Sequence, residues 1–366
     1  MSPIVTGALL AIASAVAFGA TAPLIGRYGA GLGPWSVAAL LYLGAALATR
    51  PTIRPAARER AVAKRDLGRI ALTGILGAML APAALAWGIA HTGALSASLV
   101  LALESVFTIA IAAFVFREHV GLHVALAATL IAAGALALVA AAGSGSIGAL
   151  GIAAVAAATL LWAIDNAITG TIAGADPSSV VVLKSTTGII GSLVIALVLR
   201  EPVPPLSAAI ALLATGAVGF GASLRWYLLA QRTFGVARTA SLFAIAPFAG
   251  AAIAFAFGER PASLPVFGAA AVLIALGIAL HLSERHEHRH RHARQRHVHA
   301  HTHEDGHHDH VHAALPDQPH SHEHVHAVRV HAHPHAPDAH HAHTHDAGEH
   351  EHEHPDGQAF GTPKPS

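Results

Sequence analysis

Apolar residues occur along this chain in long unbroken blocks. No residue between Ser2 and Gly26 is charged, and between His123 and Asn166 the only charge is Asp165. Ten such blocks can be placed, with approximate bounds Ile4–Ile25, Leu32–Thr49, Ile70–Ala90, Leu95–Phe116, Leu122–Ala142, Leu150–Ile172, Val180–Leu199, Ala208–Ala230, Ala240–Phe257 and Leu264–Leu282. A helix needs about 20 apolar residues to cross the hydrocarbon of a bilayer. A membrane strand needs only about 10 and alternates in polarity, which these blocks do not. The pattern therefore predicts an all-α, polytopic membrane protein with ten transmembrane helices. Their Ala and Gly content suits close approach of helix backbones in lipid. Pro23, Pro82 and Pro247 lie inside blocks and predict kinks or unwound turns. The first block lacks a preceding basic run and reads as a retained helix, not a cleaved signal.

Composition agrees. Hydrophobic residues make up 54% and charged residues 12%, against about a quarter charged in soluble domains. Where the charges fall sets an orientation. The segment RPTIRPAARERAVAKRDLGR carries Arg50, Arg54, Arg58, Arg60, Lys64, Arg65 and Arg69 and is expected on the cytoplasmic side. Counting spans from it puts both termini in the cytoplasm of a cell bounded by this inner membrane. Arg232 and Arg238 then fall inside as well, while the outer loops hold Arg27, Arg200 and Arg260. The absence of cysteine excludes disulfides and thiolate metal sites.

The chain also repeats itself. LESVFTIAIAAFVFREH closes the fourth block and AIAPFAGAAIAFAFGER the ninth, and TLIAAGALAL in the fifth matches VLIALGIALH in the tenth. Gly134 then stands opposite Gly277, and Glu118 opposite Glu259. Each repeat has five spans, so the second enters the membrane inverted, an architecture common in secondary transporters. The expected units are residues 1–142, residues 143–283, and a tail, residues 284–366.

These motifs, with LLWAIDNAITGTIAGADPSSVVVLKSTTGIIG and GASLRWYLLAQRTFGVARTASLFAIAPFAGAAIAFAFGER, resemble the EamA type of the drug/metabolite transporter superfamily. They resemble in particular a subgroup with histidine-rich tails. The resemblance covers about residues 4–282. It implies a ten-helix carrier, usually an exporter of small metabolites, in the cytoplasmic membrane. One departure stands out: Ser105 occupies a place where these proteins often have proline, whereas the second repeat keeps Pro247.

Four ionisable residues fall inside predicted spans: Glu104, Asp165, Lys184 and Arg225. Each costs about 2.5–3.5 kcal/mol at the bilayer centre on insertion scales. They are therefore expected to face the bundle interior, a watery cavity or one another. Asp165 and Lys184 lie on adjacent spans at depths that allow them to meet. As pathway residues, Glu104 and Asp165 would take a cation or a proton, and Lys184 and Arg225 an anion. Fixed helix-locking pairs, or basic groups reaching the interface, are the alternatives. Asn166 suits either substrate contact or an interhelical hydrogen bond. Trp162, one turn from Asp165, is a candidate cavity residue, while Trp87 reads as an interface anchor. Glu118 and Glu259 read as solvated helix ends. No GxSxG, phosphate-binding glycine loop or HExxH is present, so nothing indicates an enzyme.

Beyond Glu284 the character changes. The tail has one aromatic residue, Phe360, and one leucine, Leu315, but 26 of the 30 histidines. It cannot bury a core and is expected to be disordered. Its histidines alternate, and residues i and i+2 share a face only in an extended chain, about 7 Å apart. His297, His299, His301, His303, His307, His308, His310 and His312 form the densest group and are candidate ligands for Zn, Ni or Cu. No cofactor is required.

Three functions follow. The first is a secondary exporter of small, amino-acid-like metabolites with a metal-chelating cytoplasmic tail. The second is a divalent-metal transporter fed by the tail. The third is a membrane-tethered metal buffer or sensor. The expected partners are the lipid bilayer, a small-molecule substrate and transition-metal ions at the tail. No nucleic acid is expected, and a homodimer is compatible with the pattern.

Overall fold

The computed structural model describes residues 3–53, 62–115, 120–142, 146–172, 175–234, 239 and 242–283, and the tail segments 286–292, 295–301, 320–326 and 329–335. Up to Ser283 the described elements are helical. They are α1 (Pro3–Gly19), α2 (Thr21–Tyr28), α3 (Pro34–Thr49), α4 (Leu67–Thr73), α5 (Ala81–Thr92), α6 (Ala94–Val100), α7 (Leu103–Phe114), α8 (Leu122–Ala142), α9 (Ile147–Gly170), α10 (Pro177–Val198), α11 (Leu206–Gly216), α12 (Ser223–Phe234), α13 (Ala246–Ala256) and α14 (Leu264–Ser283). Two π-helical turns, Gly74–Leu80 and Ala217–Ala222, join α4 to α5 and α11 to α12.

Among the described residues, eight helical runs are long and apolar enough to cross a membrane: Val5–Tyr28, Lys64–Thr92, Ala94–Phe114, Leu122–Ala141, Ile147–Gly170, Ser178–Val198, Leu206–Tyr227 and Leu264–His281. The sequence predicts two more. These positions hold shorter helices: α3 has 16 residues and α13 has 11. At 1.5 Å per residue α3 reaches roughly 24 Å, short of a hydrocarbon core of about 30 Å. Pro34 opens α3, and Arg50–Pro51 turn the chain into a 3-10 segment that closes it.

The prolines act as the sequence suggests, but at breaks between helices. Pro23 lies in the first turn of α2, after the turn at Ala20; Pro82 and Pro247 take the second positions of α5 and α13. The first turn tolerates proline because its N–H groups have no intrahelical partner. Breaks also recur in both halves. Turns at Leu101–Ala102 and at Ala244–Ile245 interrupt runs that lie 143 residues apart. At both, hydrogen bonds tighten to three-residue spacing, Glu104 N to Leu101 O at 3.1 Å and Phe248 N to Ile245 O at 3.0 Å. The first break forms without proline. The Ser105 hydroxyl donates to Ala102 O at 2.7 Å, beside the Ser105 N–H that bonds the same carbonyl at 3.3 Å.

Small residues set the packing. A side chain on Gly134 would meet Ala270 and Ile274; one on Gly277 would meet Ala127 and Ile131. The α8–α14 contact is thus reciprocal, each helix seating the other's isoleucine on a glycine. Ser14 of α1 and Ser223 of α12 clasp likewise, each hydroxyl donating to the other's carbonyl, at 2.7 and 3.0 Å.

In the tail, four strands pair antiparallel: β1 (His286–His292) with β4 (Arg329–His335), and β2 (Gln295–His301) with β3 (His320–His326). The sequence predicts a disordered tail, and these four short segments are its described part. The alternation that places histidines on one face is also the period of a strand, so the backbone can ladder without a core to bury.

Candidate functional site

One stripe of α9 organises the polar interior. Trp162, Asp165, Asn166 and Thr169 recur at three- and four-residue spacing and so share a face. Asp165 is 2% exposed, and Lys184 of α10 reaches it with Nζ 2.5 Å from Oδ2. Thr169 donates to the other oxygen, Oδ1, at 3.2 Å. Two charges removed from water together in this way are far less costly than either alone.

The carboxylate is seated on the first π turn. A methyl group on Gly77 would run into it, so glycine there is a condition of the pair. The same residue supplies a second feature. Ala81 N–H bonds Leu76 O, five residues back. The next donor in that register belongs to Pro82, which has no N–H. The Gly77 carbonyl is therefore released from the ladder, and two buried side chains use it: Tyr42 Oη donates at 2.5 Å and Trp162 Nε1 at 2.9 Å. Around this carbonyl the rings of Tyr42 and Trp162 meet Phe220 of the second π turn, with centroids 5.3 and 5.9 Å away, and Phe18 of α1 lies 6.1 Å from Trp162.

The next residue on α9 turns to another neighbour. Asn166 donates from Nδ2 to Glu104 Oε1 of α7 at 2.9 Å. Glu104 is half-buried and Asn166 exposed, and no residue of α7 is classed as buried. Glu104 takes part in neither ion pair found among the described residues, Asp165–Lys184 and Asp66–Arg69, and neither does Arg225, half-buried on α12.

The structure thus brings together five of the six residues named as a pathway, as two linked contacts on α9 plus the Trp162 seat. It does not bond Arg225 to them. Sequence reasoning missed Tyr42 and Gly77. A proline five residues after a glycine, within an apolar block, was the available signal. Glu259 is not a solvated end: it accepts from Leu95 N at 2.8 Å and caps α6. Glu118 lies outside the described residues. Trp87, half-buried, stacks on His91 near the end of α5, with ring centroids 4.2 Å apart. Of the candidate metal ligands, His297, His299 and His301 lie on β2, opposite His324, His322 and His320. His303, His307, His308, His310 and His312 lie outside the described residues. Among the described residues no three His, Asp or Glu side chains converge as a metal site.

A buried acid–base pair and a glycine-seated carboxylate lie between long apolar helices, as in a bundle that spans a membrane. Comparison with protein families agrees. Residues 5–140 match the EamA-like transporter family. The EamA-like domain so defined runs from α1 to α8 and contains Tyr42, Gly77 and Glu104. Together with the eight long apolar helical runs, this match supports a multi-pass membrane protein. A solved structure titled "Crystal structure of protein" is similar at 19% identity, with a TM-score of 0.54, over 75% of this chain and 96% of that one. At that identity the likeness concerns the fold. No curated protein matches the chain.

Proposed function

We propose that the protein is a secondary transporter that exports small, amino-acid-like metabolites across the cytoplasmic membrane. In this reading ten helices form two inverted five-helix repeats, with both termini cytoplasmic. The eight long helical runs, the two shorter helices at the remaining positions, and the reciprocal seating of α8 and α14 support that architecture. The observation that carries the function is the contrast on α9. Lys184 neutralises Asp165 in a closed contact, whereas the neighbouring Glu104 carboxylate is half-buried, held by an uncharged amide, on a helix with no buried residue. In this reading Glu104 receives a substrate ammonium group or a proton. Arg225, outside both ion pairs, would serve a substrate carboxylate. Asp165–Lys184, neutral as a pair, adds no net charge to the path.

The tail is read as an accessory that chelates Zn, Ni or Cu on the cytoplasmic side. The β2–β3 register places three histidines opposite three others, a spacing at which cross-strand neighbours lie about 5 Å apart.

A flux screen in sealed vesicles tests the proposal, comparing amino acids and related metabolites with Zn, Ni and Co, for the full chain and for a chain lacking residues 284–366. Counterflow of an amino-acid-like solute without the tail is expected. Movement of metal alone, and only with the tail, would replace this reading with metal transport. Glu104→Gln is expected to lower flux at least tenfold with membrane insertion intact, and unaltered flux would remove Glu104 from the path.

A further inference from the structure

The end of the bundle opposite the basic loop is stitched by two carboxylates of a common design. α3 and α6 both begin after a glycine, Gly33 and Gly93, and neither receives a capping bond from its own N-cap side chain. In each case a glutamate from the other half of the chain fills the role. Glu201 follows α10 and accepts from Trp35 N at 3.2 Å and Ser36 N at 2.7 Å. Glu259 follows α13 and accepts from Leu95 N at 2.8 Å. The approach is local and repeated. Arg200 and Gly258, one residue earlier, both have positive φ, 53° and 95°. Each turn closes with a six-residue bond, Glu201 N to Ala196 O and Glu259 N to Ala254 O. A side chain on Gly33 would overlap the Glu201 carboxylate, and one on Gly93 would touch that of Glu259. The glycines are therefore receptacles.

At the opposite end one tie among the described residues is uncharged: the Thr52 and Ser178 hydroxyls lie 3.0 Å apart and join the 3-10 segment after α3 to α10. Hydrogen bonds to a carboxylate are roughly twice as strong as neutral ones, and a helix N-terminus favours the negative charge. The Glu201 and Glu259 ties are thus the stronger kind of fastening. The fastened helices also lead to the site: α3 carries Tyr42, and α6 runs through the Leu101–Ala102 turn into α7 and Glu104.

We infer that Glu201 and Glu259 are paired latches that hold this end of the bundle shut, and that their release from the N-termini of α3 and α6 opens the path on that side. The inference rests on the transporter reading, but its deciding readout is thiol labelling, with flux measured only to tell the two readings apart.

The chain has no cysteine, so an introduced thiol is unique. Ser98, fully buried one turn inward from Leu95, reports on the latched end; Ser185, fully buried two turns inward from Ser178, reports on the other. Each is changed to cysteine and its labelling by a water-soluble maleimide is timed in reconstituted protein. Glu201→Gln with Glu259→Gln is expected to speed labelling at Ser98→Cys at least tenfold and to change that at Ser185→Cys less than twofold. No acceleration at Ser98→Cys would overturn the latch. Equal acceleration at both sites would also overturn it, because it would mean general loosening. If the double variant does not purify as a monodisperse species, Glu259→Gln alone must give at least threefold at Ser98→Cys or the inference fails. Unchanged labelling beside normal flux would sink the latch and leave the carrier reading standing. Faster labelling in a protein that moves no solute would do the reverse.

Discussion

At the scale of single residues, the decisive contact is Asp165 with Lys184, and the sequence reveals it because both its depth and its partner can be counted along two adjacent blocks. Removing one partner of a buried pair strands the other charge, at a cost of about 3–5 kcal/mol. Lys184→Met is therefore expected to lower stability by about that amount in a denaturation series in detergent. Adding Asp165→Asn should recover most of the loss, because the stranded charge goes with it. If the single change costs less than about 1 kcal/mol, water reaches the Asp165 carboxylate. The Asn166–Glu104 bond was not legible in the same way. Position along a block gives depth, but which helix a side chain faces depends on rotation about the axis, and that is settled only by packing. Glu259 shows the same limit. A carboxylate at the end of a block looks solvated until the neighbouring helix supplies its N–H groups.

Among elements, the two π turns are the least legible part of the fold and the most consequential. Hydropathy registers neither, since a π turn changes no residue's polarity; it only inserts a position and shifts the helix face. Here that shift frees the Gly77 carbonyl and seats Asp165. Gly77→Ala is expected to destabilise by about 1–3 kcal/mol, the usual range for overpacking. Gly68→Ala in α4 has nothing within 4 Å and is the control; it should be neutral, or stabilising by about 0.5–1 kcal/mol. Equal effects at the two glycines, measured by thermal denaturation, would deny Gly77 its special place. The breaks at Leu101 and Ala244 teach a related lesson. Proline announces the second, whereas the first depends on a serine hydroxyl bonding its own backbone, a signal that many helix-interior serines also carry.

For the whole molecule, block length and charge distribution made the helical membrane architecture plain; internal similarity matched Gly134 with Gly277 as equivalent positions, but that their helices pack on each other emerged only from the structure. The shortness of α13 was hidden because apolar residues continue past its ends, whereas α3, closed by Arg50–Pro51, lies within two residues of its predicted bounds. The tail separates from the rest in composition, so its removal should leave the bundle's thermal transition unchanged within about 2 °C, the shift that about 1 kcal/mol produces at this size. Metal binding by the full chain should weaken as pH falls through about 6.5, since only neutral imidazole is a ligand. Isothermal titration with Zn at pH 7.5 and 5.5 checks this. Equal affinity at the two values would mean that carboxylates, not imidazoles, hold the ion.

The mutual seating of α8 and α14 has a consequence for which changes in length the chain can accept. One residue gained or lost between Ala127 and Gly134 would swing everything beyond it by about 100° around the helix axis. Both isoleucine seats would then be vacated at once, because each helix supplies a knob and a hole to the same crossing. Substitutions there can be absorbed singly, but a frame-preserving codon insertion cannot be offset by any one change in the partner.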